Sequence, residues 1–139
     1  MTHSSSNEPY IFEITIKVRE YELDAEGIVN NANYLHYLEL TRHEFCEKQG
    51  IPFKDMQHQG IVPVLRRAEL DYITSLRAGD SMISKLRLER VGPRFVFHQD
   101  IYRLSDNAHV LHGVITVVTL ENGKLSKGDR LAAYFQDIL

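Results

Sequence analysis

The sequence predicts an α+β protein in which an antiparallel sheet of about five strands wraps one long early helix. Three observations predict it: a period-two apolar pattern near the start, one stretch of apolar residues at helical spacing before residue 50, and then a run of β-patterned segments separated by turn residues. With 139 residues and 43% hydrophobic content the chain suits one ordinary core, so residues 10–139 are expected to form a single domain. Residues 1–9, MTHSSSNEP, are small and polar and are expected to form a flexible N-terminus.

In YIFEITIKV, Ile11, Glu13 and Thr15 alternate with Phe12, Ile14 and Ile16, which gives the first strand. Between residues 33 and 49, Tyr34, Tyr37, Leu38, Thr41 and Phe45 recur at spacings of three and four, and a Gly-Ile-Pro stop follows. That is the long helix, buried on one face. After a short irregular stretch, four β-patterned segments at 62–73, 81–91, 94–104 and 109–120 are separated by SLRAGD, GP and SDNA, and ENGK follows the last. These separators carry turn chemistry, and the run reads as an antiparallel meander. The closing LAAYFQDIL is expected as a short helix or a strand. Helix and sheet each have one apolar side to hide, so Tyr34 and Leu38 are expected to point into the sheet, leaving the helix N-terminus at one end of the core.

The formal net charge of −3 supplies no overall basic field to recruit nucleic acid or anionic lipid. Cys46 is the only cysteine, which excludes an internal disulfide and a cysteine zinc cluster. No apolar run is long enough to span a bilayer or to serve as a signal sequence, so a cytoplasmic location is expected. His36, Glu39, His43 and Glu47 share the helix face opposite Tyr34 and Phe45. His36 and His43 are two turns apart, on the order of 10 Å by helix rise, too far to share one ion, so a polar outer face is expected there and no metal.

The stretch DAEGIVNNANYLHYLEL, residues 24–40, sets a carboxylate and a glycine turn ahead of a helix start crowded with Asn30, Asn31 and Asn33. Taken residue by residue, helix capping is the leading reading. The alternative is a reaction site, because free amides at a helix start can face an oxyanion while a nearby carboxylate does the chemistry. Tyr21, three residues before Asp24, either orients that carboxylate or packs at the strand end. Glu22 and Glu26 are expected to be solvated loop charges.

VREYELDAEGIVNNANYLHYLELTRHEF, VLRRAELDYITSLRAGD and HVLHGVITVVTLENGK together resemble the hotdog-fold acyl-CoA thioesterases of the 4-hydroxybenzoyl-CoA thioesterase-like family, over nearly the whole chain after residue 10. By this resemblance Asp24 matches the catalytic carboxylate, as base or nucleophile, and the backbone amide of Asn31 matches the oxyanion donor. Glu39 stands where an acidic residue can lie near the family's site. The resemblance moves the balance from capping to a reaction site. The chain departs from the family in one respect: where many members carry a His before the residue preceding Asn-Tyr, Asn31 stands here, and where a related branch has the His of His-Val-Asn-Asn, Ile28 stands. A thiolate leaves well without a proton donor, since a thiol pKa lies near 8.5.

Family analogy also assigns Arg90 and Arg94, which flank the VGP turn, to coenzyme A phosphates, for which guanidinium is suited by charge and fork geometry. The resemblance implies an acyl-CoA or acyl-carrier-protein substrate, no cofactor, and a homodimer or homotetramer with sites between subunits. Two other readings are a hotdog hydratase or dehydratase, which would want a His paired with a carboxylate in the helix motif, and an acyl-binding module without turnover.

Overall fold

The computed structural model describes residues 9–139, so the N-terminus expected to be flexible lies, Pro9 apart, outside the described residues. One antiparallel sheet contains β1 (Phe12–Lys17), β2 (Ile61–Tyr72), β3 (Ser81–Val91), β4 (Arg94–Arg103), β5 (His109–Glu121) and the two-residue β6 (Lys124–Leu125). Helix α1 (Asn31–Lys48) lies in its concave face, and two short helices, α2 (Phe53–His58) and α3 (Asp129–Ala132), sit at the far end. A single 3-10 turn, Ala133–Phe135, continues α3, so the closing segment is helical rather than a strand.

The apolar stripe read from the sequence is the buried face of α1. Tyr34, Tyr37, Leu38, Thr41, Phe45 and Cys46 are all buried against inward-facing residues such as Met82, Leu86, Phe95, Ile101 and Ile115. The helix lies so close to the sheet that a Cβ on Gly113 would come within 2.8 Å of the Leu38 side chain. At its end Gly50 takes φ +73 and donates to the Glu47 carbonyl at 3.0 Å, while Ile51 donates to the Cys46 carbonyl. A left-handed residue closing a helix in this way is cheap only for glycine.

Three elements differ from expectation. The strand order is β1-β3-β4-β5-β2, so β3 to β5 form the expected meander but β2 pairs with β5 instead of β3. The link from β2 to β3 must therefore cross the end of the sheet, and it does so over the start of α1. There Leu76, fully buried, donates its amide to the Tyr34 hydroxyl at 3.0 Å and accepts from the Val29 amide at 2.9 Å. Second, α1 begins at Asn31, two residues before the apolar pattern does, because Asn30 caps it by accepting from the Ala32 amide at 3.0 Å. Third, the stretch expected to be irregular contains α2, which buries Met56.

The outer face of the sheet holds a polar cluster. Along β4, Phe95, Phe97, Gln99 and Ile101 face the helix, which turns Asp100 to the other side. Asp100 is only 2% exposed. Its Oδ1 lies 2.8 Å from His109 Nε2 and 2.8 Å from His112 Nδ1, and its Oδ2 accepts from the Tyr10 hydroxyl at 2.7 Å. Burial alone would push the carboxyl up; the hydrogen bonds from His112, Tyr10 and His109 outweigh it and hold Asp100 below the ordinary aspartate value. A carboxylate depressed in the folded state adds stability above its unfolded pKa, near 3.9, and loses it as pH falls through the folded value. Asp100→Ala is thus expected to cost about 3 kcal/mol in urea denaturation at neutral pH, and to flatten the acid limb of the stability curve below about pH 4.

Candidate active site

The loop ahead of α1 is a short hairpin. The Asn30 amide donates to the Glu22 carbonyl at 2.9 Å, Leu23 bridges Val29, and the Asp24 amide donates to the Ile28 carbonyl at 2.8 Å. Gly27, at φ +78, makes the reversal. Asp24 therefore sits on one arm while the other arm runs directly into the helix start. The Asp24 side chain is half-buried, and its Oδ1 accepts from the Glu26 amide at 2.8 Å and, more weakly, from Ile28 at 3.4 Å. It caps its own turn, not the helix, which Asn30 caps. No hydrogen bond to Oδ2 is made among the described residues.

Asn31 is the first helical residue, so its amide has no carbonyl four residues back, and it takes no acceptor among the described residues. The Ala32 amide is taken by Asn30 Oδ1 and the Asn33 amide by the Asn30 carbonyl. Asn31 is thus the donor left at the exposed helix tip, at the positive end of the α1 dipole. Its own carbonyl accepts from the Tyr72 hydroxyl at 3.3 Å, which ties the tip to the end of β2.

Glu22, expected as a solvated charge, is buried instead. Its Oε1 accepts from the Arg19 amide at 2.8 Å and from the Tyr37 hydroxyl at 2.8 Å, and its carbonyl accepts from Asn33 Nδ2 at 2.8 Å. Burial, followed by the bond to this carboxylate, pushes the Tyr37 hydroxyl well above the ordinary tyrosine value. Glu22 thereby clamps the Asp24 hairpin onto α1. Glu26 is exposed as expected. Tyr21 is 81% exposed, so in the single chain it is not packed at the strand end and has no hydrogen bond to Asp24.

The two arginines of the β3–β4 turn differ. Arg90 donates to the Gly92 carbonyl at 3.0 Å, the Lys127 carbonyl at 2.8 Å and Asp129 Oδ1 at 2.6 Å. It staples the turn to the start of α3, which leaves it poorly placed to serve a phosphate. Arg94 is exposed and makes no hydrogen bond or ion pair among the described residues. The turn is also at the opposite end of the sheet from the Asp24 hairpin, roughly 30 Å away by the rise of β3.

Glu39 is exposed on α1, as the polar outer face requires, and it borders a cavity of about 600 Å³ between the C-terminal half of the helix and the β2 edge. Phe95, Phe97, Val117, Leu131 and Phe135 give this cavity apolar walls. Arg42, which the sequence reading passed over, also lines it and is only 9% exposed. Its Nη1 donates to Gln99 Oε1 at 3.0 Å, and Gln99 in turn donates to the Leu38 carbonyl at 3.1 Å. Burial pulls the guanidinium down from its ordinary value, opposed by the charge of Glu39. Arg42 falls four residues after Leu38 and three before Phe45, so the helical period places it on the buried stripe. Among the described residues, no group of His, Cys, Asp or Glu is arranged to hold a metal ion, and no helix is long and apolar enough to cross a membrane.

A chloroplast acyl-acyl carrier protein thioesterase of Arabidopsis thaliana is 34% identical over 111 residues, covering 79% of this chain and 59% of that protein. The acyl-CoA thioesterase YbgC of Helicobacter pylori is 32% identical over 82 residues, 58% of this chain and 59% of its own. The chain thus spans about three fifths of the length of these curated relatives. A crystal structure of a 1,4-dihydroxy-2-naphthoyl-CoA thioesterase from Synechocystis superposes with a TM-score of 0.82 over 91% of this chain and 93% of that one, a likeness of fold at 14% identity. Its sheet curled about one helix is the hotdog architecture, and with residues 18–133 matching the thioesterase-like superfamily, the chain belongs to that superfamily.

Proposed function

We propose that the chain is a cytoplasmic acyl-CoA thioesterase, acting on CoA or acyl-carrier-protein thioesters, whose site is completed by a second copy of itself. The observation that carries this reading is the Asp24 carboxylate held across a short hairpin from the unaccepted Asn31 amide at the tip of α1. A thioester carbonyl aimed at that amide gains stabilisation as charge moves onto its oxygen, an effect of roughly two to three orders of magnitude in rate per donor. Asp24 attacks the carbonyl carbon or deprotonates the water that does. The C–S bond then breaks, the sulfur leaves as thiolate, and one water is consumed in giving acid and thiol. Glu22 positions Asp24 by fixing the hairpin on the helix. A hydratase reading is less well supported, because no His lies within the 22–34 segment that would pair with the carboxylate.

A second copy is supported by the β2 edge. This strand is 12 residues long, with exposed Val62, Leu65 and Tyr72, and such an edge tends to pair. Its charges are self-complementary: Arg66 and Arg67 precede Ala68, while Glu69 and Asp71 follow it. An antiparallel copy centred on Ala68 sets Arg67 opposite Glu69 of the partner subunit. The same pairing reverses the sheet, so that Arg94 of the partner subunit comes to the Asp24 end. The CoA phosphates are assigned to Arg94 in this arrangement, and Arg90 and Tyr21 are given no direct role. Glu39 borders the acyl cavity near the pairing edge.

Thiol release over a panel of acyl-CoA and acyl-carrier-protein substrates tests the activity. Cys46 interferes little with a thiol reagent, being buried, which pushes its thiol up to about 11. Arg94→Ala should raise KM for acyl-CoA about tenfold, but not for a small thioester lacking the nucleotide, with kcat little changed. Equal effects on both substrates would remove Arg94 from the site.

A further inference from the structure

The cavity beside α1 has a wall that an alkyl chain does not need. Its volume, about 600 Å³, lies in the range of ligand sites, and its aromatic and aliphatic lining suits an acyl group. Yet Arg42 is set among Phe97, Phe95 and Val117, with its guanidinium carbon 6.0 Å from the Phe97 ring centre. A guanidinium has five N–H donors. Only the Nη1 bond to Gln99 is made among the described residues, and Gln99 is itself fully buried and held by the helix backbone. The other donors face the cavity and its solvent, so an acyl group that displaces this water leaves them unmet unless it brings an acceptor of its own.

We propose that this cavity selects acyl groups bearing a hydroxyl or oxo oxygen along the chain, with Arg42, oriented by Gln99, donating to that oxygen. The inference rests on the acyl-CoA reading above and specifies its substrate class. A neutral oxygen fits better than a carboxylate. Glu39 and Glu47 also line the cavity, so an incoming anion meets two carboxylates as well as the one guanidinium. A plain alkyl chain leaves the donors of Arg42 dry and unmet.

The test uses non-hydrolysable thioethers, so it reads binding whether or not the chain turns over thioesters. Calorimetry would compare S-dodecyl-CoA with isomers carrying a hydroxyl at carbon 3, 6, 9 or 12, and with the ω-carboxyl analogue. At least one hydroxyl isomer should bind roughly tenfold or more tighter than S-dodecyl-CoA, the size expected of a hydrogen bond to a charged donor. Arg42→Met should bring that ratio close to one, and Arg42→Lys should keep part of it. The inference is overturned if the parent chain binds all isomers alike, if only the ω-carboxyl analogue is favoured, or if the preference survives in Arg42→Met. If the parent chain binds none of the thioethers, the acyl-CoA reading fails and this inference with it. The ratio in the parent chain decides the matter even if a variant does not fold.

Discussion

Replacing both Arg66 and Arg67 with Glu should turn the protein into monomers at micromolar concentration and lower kcat/KM for acyl-CoA by about a hundredfold or more. The change leaves β2 wholly acidic from residue 66 to residue 71 apart from Ala68 and Leu70, so the attraction of an antiparallel copy becomes repulsion. Cross-strand charge pairs are worth roughly 0.2–1 kcal/mol each. In the register centred on Ala68, Arg67 faces Glu69 of the partner subunit while Arg66 faces Leu70 of the partner subunit. The directly opposed pair occurs twice by two-fold symmetry and the swing from attraction to repulsion doubles it again, giving a loss of roughly 1–4 kcal/mol, or about five- to a thousandfold in Kd. Both arginines are exposed, and the fold of the single chain should survive. Adding Glu69→Arg and Asp71→Arg restores complementarity with the signs exchanged, and the dimer and the activity should return together. Sedimentation beside thiol release reads both. A monomer with full activity would show that one chain holds the whole site.

Helix and strands were legible because burial imposes a period on side chains. Tyr34, Leu38, Thr41 and Phe45 could have no other common face than that of a helix. Strand order was not legible in the same way. SLRAGD says that the chain reverses after β2, but not that it crosses the sheet to reach β3, and the contact that fixes the crossing, Leu76 on Tyr34, spans 42 residues. The Asp24 hairpin was local enough to be noticed, with carboxylate, glycine and asparagines inside ten residues. Glu22 was misread for the opposite reason. Its partner Tyr37 is 15 residues on, and nothing around Glu22 in the chain distinguishes it from the exposed Glu26. Arg90 was assigned to a phosphate by analogy, and nothing near it in the chain announces its carboxylate partner, Asp129, which lies 39 residues away. Arg42 was missed although a local signal existed, since the helical period alone puts it on the buried stripe beside Leu38 and Phe45.

Asp24→Asn is expected to lower kcat by about a hundredfold to ten-thousandfold, the usual cost of losing a group that transfers a proton or attacks in the reaction. Asparagine has nearly the same shape, and its side-chain oxygen can still accept from the Glu26 and Ile28 amides that Asp24 Oδ1 now serves. The hairpin is also held by backbone bonds from Asn30 to Glu22 and from Asp24 to Ile28, and by the Glu22–Tyr37 clamp, none of which the substitution touches. The helix keeps its cap, because Asn30 supplies it. What the amide side chain lacks is the capacity to take a proton from water or to attack a thioester carbon as an anion. Structure and substrate binding should therefore persist while chemistry stops, so a fall in kcat/KM would come from kcat and not from KM.

The central claim is that Asp24 does the chemistry of thioester hydrolysis at the tip of α1. It is tested most directly by measuring thiol release under single-turnover conditions, with parent and Asp24→Asn proteins each saturated with the same acyl-CoA and matched in melting temperature. The prediction is a slow or absent release in the variant, with calorimetric affinity for the acyl-CoA within a few fold of the parent. Release at the parent rate from a folded, substrate-bound Asp24→Asn protein would contradict it, and would return Asp24 to the role of capping its own turn.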